Sequence, residues 1–180
     1  MNLYVMRHGA TKMNKENLHN GQIDEDLSDV GVSQAKEAIK NLEGINFDII
    51  YCSPLKRAKH TCNIININNT PVAYDDRLKE RTLGALDGKN IEKEGLSNEN
   101  YYDYYYKSNI KDFEEWKEVF SRVHTFLDEL KTKNYKNVLI VAHGGILRAT
   151  HYYFNSIPED GNLLTKYKGS ENCQINHYQI

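Results

Sequence analysis

Two imidazoles, two guanidiniums and a carboxylate recur at matching places along this chain. Arg7 and His8 close an apolar run over residues 3–6, and Gly9 follows them. Arg57 stands in "CSPLKRA", just beyond a second run at 48–52, and Glu80 stands in "RLKERTLG", beyond a third at 72–74. His143-Gly144-Gly145 follows the fourth, at 137–142. Imidazoles can act as nucleophiles or proton carriers, guanidiniums hold oxyanions, and carboxylates move protons. Taken singly, each residue has an ordinary reading. Arg7, Arg57 and Glu80 could be solvated charges, and His143 between "VLIVA" and "GGIL" could be a core histidine. Their joint placement after strand ends, where open α/β sheets take ligands, argues for a site. Asp75, Asp76 and Asp87 lie close enough in sequence to compete with Glu80 for its role, and the other five histidines (His19, His60, His124, His151, His177) read as structural or surface residues.

The elements that would hold these residues alternate between short apolar runs and helical patterns, which predicts an α/β fold with a sheet between helices. A weaker fifth strand is expected at 173–178. Ser28 is a candidate N-cap for a helix with Val32, Ala35, Ile39 and Leu42 on one face, stopped by Gly44. "SPLKRAKHTCNIININ" predicts a helix with Pro54 in its first turn. The longest helix is expected over 113–130, with Trp116, Val119, Phe120, Val123, Leu127 and Leu130 as its apolar stripe. No repeat, linker or composition shift divides the chain, so residues 1–180 read as one domain. Residues 81–111, polar and rich in Tyr, are expected to be an insertion covering the site.

Composition narrows the classes. A chain of 180 residues buries roughly 70% of its unfolded surface and needs no disulfide or metal to fold. A formal charge of −2 with 27% charged residues gives no basic excess for nucleic acid or an anionic membrane. No apolar stretch approaches the ~20 residues of a membrane span. Three cysteines without a C-x-x-C pair, and no apolar leader-like segment, predict a cytoplasmic protein with reduced thiols. Cys52 and Arg57 form C-x4-R, one residue short of a cysteine phosphatase loop. "GALDGKN" lacks the gap and the Ser/Thr of a P-loop, and no His/Cys spacing suggests zinc.

Five blocks together resemble the histidine phosphatase superfamily, which includes the cofactor-dependent phosphoglycerate mutases. They are "RHGATKMN", "GQIDEDLSDVGVSQA", "YCSPLKRAKHTC", "RLKERTLGALDG" and "VAHGGILRA", in family order. The resemblance implies a three-layer α/β/α sandwich with a mostly parallel central sheet. It implies that His8 is the nucleophile, forming a phosphohistidine, and that Glu80 is the proton donor. Arg7, Arg57 and His143 would bind and stabilise the phosphoryl group, joined by Asn14 and the backbone at Gly144. No metal or cofactor is expected, and the partner is a small phosphate ester.

Departures from the family bear on the reaction. Leu83 stands where the mutases carry a substrate-holding Tyr, and "LGALDG" replaces the F-G-x-W-x-G of many of the phosphatases. Lys89 and Lys107 are the nearest candidate cations for the leaving-group half of the pocket. These features predict a phosphomonoesterase, with a mutase or a catalytically silent phospho-ligand binding protein as alternatives. The run at 101–106, five Tyr and one Asp, could form a lid helix over the site or simply pack on the core.

Overall fold

The computed structural model describes all 180 residues. Five strands, β1 (Asn2–Arg7), β2 (Ile49–Cys52), β3 (Val72–Tyr74), β4 (Asn137–Ala142) and β5 (Ile175–Gln179), form one sheet in the order β3-β2-β4-β1-β5. All pairings are parallel except that of β5 with β1. The helices are α1 (Lys12–Lys15), α2 (Asp29–Ala38), α3 (Lys56–Ile65), α4 (Asn98–Tyr101), α5 (Trp116–Lys131) and α6 (Gly144–Phe154).

Strand alternation builds the three layers. Leu3 and Val5 of β1 point to one face with Val138, Ile140 and Ala142 of β4, where α5 and α6 cover them. Met6, Leu139 and Val141 point to the other, against Ala35 of α2 and Ala58 and Cys62 of α3. β4 is therefore buried on both faces, as its unbroken apolar run requires of a central parallel strand. Each fully buried aliphatic side chain here contributes roughly 1.5–3 kcal/mol.

Local chemistry explains where the elements begin and end. The Ser28 side chain accepts from Gly31 N–H and caps α2, and Gly44 at φ +78° ends the 3-10 turn that follows it. Helix α5 starts three residues later than the pattern predicts, because Glu115 and Glu118 form a reciprocal capping box. Its predicted stripe is buried throughout. Helix α3 begins at Lys56, so Pro54 precedes it instead of occupying its first turn; the Lys56 N–H is met by Asp24 Oδ1 at 2.6 Å. The fifth strand starts at Ile175, because Cys173 takes φ +59° and donates its N–H to Arg7 O.

Residues 81–111 contribute no strand to the sheet. They contain a 3-10 turn (Gly84–Leu86) and α4, gathered on a small cluster of Leu83, Leu86, Ile91 and Leu96. The tyrosine run is not a helix: α4 ends at Tyr101 and the chain turns. Tyr104 packs on the main core, Tyr106 on the small cluster, and Tyr105 is exposed.

Candidate active site

The parallel register of β1 and β4 sets Arg7 level with Ala142, so His8 and His143 leave adjacent strands at the same edge. His8 N–H donates to Ala142 O at 2.9 Å, and the two imidazole centroids lie 5.1 Å apart. His8 Nδ1 lies 2.7 Å from Gly9 O. A carbonyl can only accept, so Nδ1 carries the proton and Nε2 keeps its lone pair. Burial first, then the charges of Arg57 and Arg7, hold the His8 pKa well below its ordinary value. The ring is neutral. Gly9 is required by a close approach: a Cβ there would fall within 3.0 Å of the Gly31 carbonyl at the start of α2.

His8 opens onto a cavity of about 570 Å³, whose wall also includes Arg7, Asn14, Arg57, Glu80 and Gly144. Arg7 donates to Ser170 O, and Arg57 to Ile23 O and Gly21 O, at 2.6–2.8 Å. Neither makes an ion pair with a carboxylate, and the Nε of each is a buried donor without a protein partner. Asn14 is fixed by Thr11 N–H and by its own bond to Asn20 Oδ1.

Glu80 lies at the N-terminus of α6, where Gly145 N–H reaches both carboxylate oxygens at 3.1 and 3.3 Å and Arg81 N–H reaches one at 2.9 Å. The Gly145 N–H thus serves Glu80. The competing aspartates are engaged elsewhere. Asp75 is gripped by Arg77, Asp76 pairs with Lys79, and Asp87 accepts from Leu83 N–H, Thr82 Oγ and Gln22 N–H. Only Glu80 of the four reaches the cavity.

His143 is the exception among the expected residues. It is wholly buried behind the cavity wall, against His8. Its Nε2 lies 2.7 Å from Ser53 Oγ, while its Nδ1 has no partner. Ser53 Oγ already accepts from Leu55 N–H at 3.3 Å, so its hydroxyl hydrogen needs an acceptor, and His143 Nε2 is the one within reach. The network therefore puts the His143 proton on Nδ1. Burial and the nearby Arg57 push the pKa of this ring down as well.

The cavity also holds residues with no expected role. His19, expected as a structural or surface residue, lines the cavity and packs edge-on to Tyr101 at 4.9 Å. Arg81 and Arg148 line it too, whereas Lys89 and Lys107 do not; Lys89 is paired with Glu94. Two signals pointed to the arginines. Arg81 directly follows Glu80, and Arg148 lies one helical turn beyond Gly144 in "GGILRA".

A mostly parallel α/β/α sandwich with a neutral histidine at a strand end beside two arginines defines a phosphoryl-transfer class of site. Residues 3–180 match the model of the histidine phosphatase superfamily (branch 1), and the chain belongs to that family. It is 30% identical over 153 residues to the adenosylcobalamin/alpha-ribazole phosphatase of Escherichia coli, covering 82% of this chain and 75% of that protein. It is 32% identical over 199 residues to the 2,3-bisphosphoglycerate-dependent phosphoglycerate mutase of Lachnoclostridium phytofermentans, covering 89% and 80%. The structure of mycobacterial glucosyl-3-phosphoglycerate phosphatase in complex with VO3 superposes with a TM-score of 0.86 at 25% identity, over 98% of this chain and 91% of that one. Relatives thus include phosphatases and a mutase. No helix is long and apolar enough to cross a membrane.

Proposed function

We propose that the protein hydrolyses a small phosphomonoester through a phosphohistidine on His8, without a metal ion. The observation that carries this reading is the His8 ring: neutral, locked by Gly9 O at Nδ1, and set beside two arginines that have no carboxylate partner. In the first step His8 Nε2 attacks phosphorus and the ester P–O bond breaks, while Glu80 gives its proton to the leaving oxygen. Arg7 and Arg57 match the charge on the equatorial oxygens, with Asn14 as a further donor, while His143 stands behind the wall against the His8 ring. In the second step Glu80, now a carboxylate, takes a proton from water as that water attacks the phosphohistidine. Inorganic phosphate leaves and neutral His8 is restored. Residues 81–111 cover the leaving-group side through Leu83, Tyr101 and Tyr102.

Hydrolysis is favoured over transfer by Leu83, which lines the cavity where the mutases carry a substrate-holding Tyr and offers a departing alcohol no hydrogen bond to hold it for return of the phosphoryl group. The test is 3-phosphoglycerate with a trace of 2,3-bisphosphoglycerate. Phosphate release in step with substrate loss is expected. Rapid 2-phosphoglycerate formation with negligible free phosphate would make the protein a mutase.

A further inference from the structure

His19 is a half-buried titratable ring that the two steps of the reaction leave idle. It lines the cavity together with Glu80, and its main chain is clamped to the segment that follows that carboxylate. The His19 N–H donates to Lys89 O at 2.9 Å, and His19 O accepts from Gly88 N–H at 2.7 Å. Three residues on, Gln22 Nε2 donates to Glu80 O at 3.0 Å. Ring Nδ1 is sealed from solvent without a hydrogen-bond partner, so Nε2 is the nitrogen that can meet the cavity. Burial, above all, holds the His19 pKa below its ordinary value. The Glu80 carboxylate, the Lys89 carbonyl and Glu92 oppose that shift, Arg81 adds to it, and Tyr101 packs edge-on against the ring. At neutral pH the ring is uncharged, and the pull of the Lys89 carbonyl on a ring N–H favours the proton at Nδ1 and a lone pair at Nε2.

Dephosphorylation sets a geometric demand that this lone pair meets. Water must enter in line with the bond from His8 Nε2 to phosphorus, where the leaving oxygen stood beside Glu80, and it carries two hydrogens. One goes to Glu80. The other needs an acceptor, because a water held at one hydrogen swings freely and its oxygen is not aimed. The cations of the wall, Arg7, Arg57, Arg81 and Arg148, can only donate. Both Glu80 oxygens already accept from backbone N–H groups. An uncharged imidazole on the same wall supplies the missing acceptor.

We infer that His19 Nε2 accepts the second hydrogen of the attacking water and so aims its oxygen at the phosphohistidine. This rests on the hydrolytic reading of the His8 site. As the water oxygen bonds to phosphorus, the bond from His8 Nε2 to phosphorus breaks and its electron pair returns to the ring. One water hydrogen passes to Glu80 as a proton, and the other stays on the new P–OH group, held by His19. An alcohol in the place of water has a single O–H hydrogen, which Glu80 takes, and it needs nothing from His19.

That difference between the two nucleophiles makes the test. The protein turns over p-nitrophenyl phosphate in dilute methanol, and the initial ratio of inorganic phosphate to methyl phosphate is measured. Any ester yields the same phosphohistidine, so the ratio reports the second step alone. In His19→Leu the ratio falls roughly three- to tenfold, the effect of one lost hydrogen bond. His19→Gln, whose side-chain carbonyl can accept, recovers most of it. In the wild type the ratio falls on acidification, because a protonated ring no longer accepts, whereas protonation of Glu80 takes the base from both nucleophiles alike. The wild-type arm decides even where a variant does not fold. A ratio unmoved by acid in the wild type, or by His19→Leu, overturns the inference and leaves hydrolysis standing. If no ester releases phosphate, the hydrolytic reading fails and the inference fails with it.

Discussion

Gly145→Ala separates the position of Glu80 from the stability of the fold. A Cβ at residue 145 would fall well inside 3.0 Å of Glu80 Oε1, closer than real Cβ contacts allow. The next nearest atom, Glu80 Cδ, would lie at 3.5 Å, an ordinary contact. The carboxylate must therefore withdraw by about 1 Å, weakening its bonds from Gly145 N–H, while the backbone has no reason to move. Alanine suits a helix better than glycine by up to ~1 kcal/mol, so the fold is held or slightly strengthened. A displacement of about 1 Å in a reacting group costs roughly 10²-fold in rate. The expected outcome is a melting temperature equal to or above wild type, with kcat for an alkyl phosphate reduced about 10²-fold. Turnover of p-nitrophenyl phosphate, whose leaving group departs without an acid, should fall much less. Full alkyl-ester turnover in a folded variant would refute Glu80 as the acid held at this helix terminus. An equal loss on both substrates would show that the variant disturbs phosphate binding instead.

Three further outcomes follow from the same geometry. Ser53→Ala removes the donor to His143 Nε2, so histidine ¹⁵N spectra should lose the pure Nδ1–H signature of His143 and turnover should fall about tenfold; Ser53→Thr should restore both. His8 and His143 have pKa values below those of the unfolded chain, so the unfolded state gains protons first as pH falls. Their contribution is present above pH ~6.5 and is lost as pH falls toward the depressed folded-state values, so stability by denaturant unfolding should decline from pH ~7.5 to ~5.5; unchanged stability across that window would mean that the rings are charged. Turnover should survive exhaustive chelation and be inhibited by vanadate; loss with EDTA, restored by a divalent ion, would assign the positive charge to a metal.

The residues at strand ends were legible because sequence position and place in the sheet coincide there. Arg7-His8 and His143 follow adjacent parallel strands, and that adjacency alone sets the two rings side by side. Arg81 and Arg148 were not legible as a pair. One lies in a loop and the other on the second turn of α6, and only the folding of 101–116 between them brings both over Trp116. The tyrosine run misled for a related reason. Its side chains divide among the cavity wall, the main core, the small cluster and solvent, a division that helical periodicity does not encode. Ser53 was visible in "CSPLKRA" but mute, since its partner lies 90 residues away.

The central claim is that His8 Nε2 becomes bonded to phosphorus. Brief mixing with a ³²P-labelled ester, acid-free denaturation and peptide mapping test it directly. A label that is stable to alkali, labile to acid and carried on the peptide containing His8 is expected, and it should be absent from His8→Ala. A label on any other residue, or undiminished turnover in His8→Ala, would contradict the account.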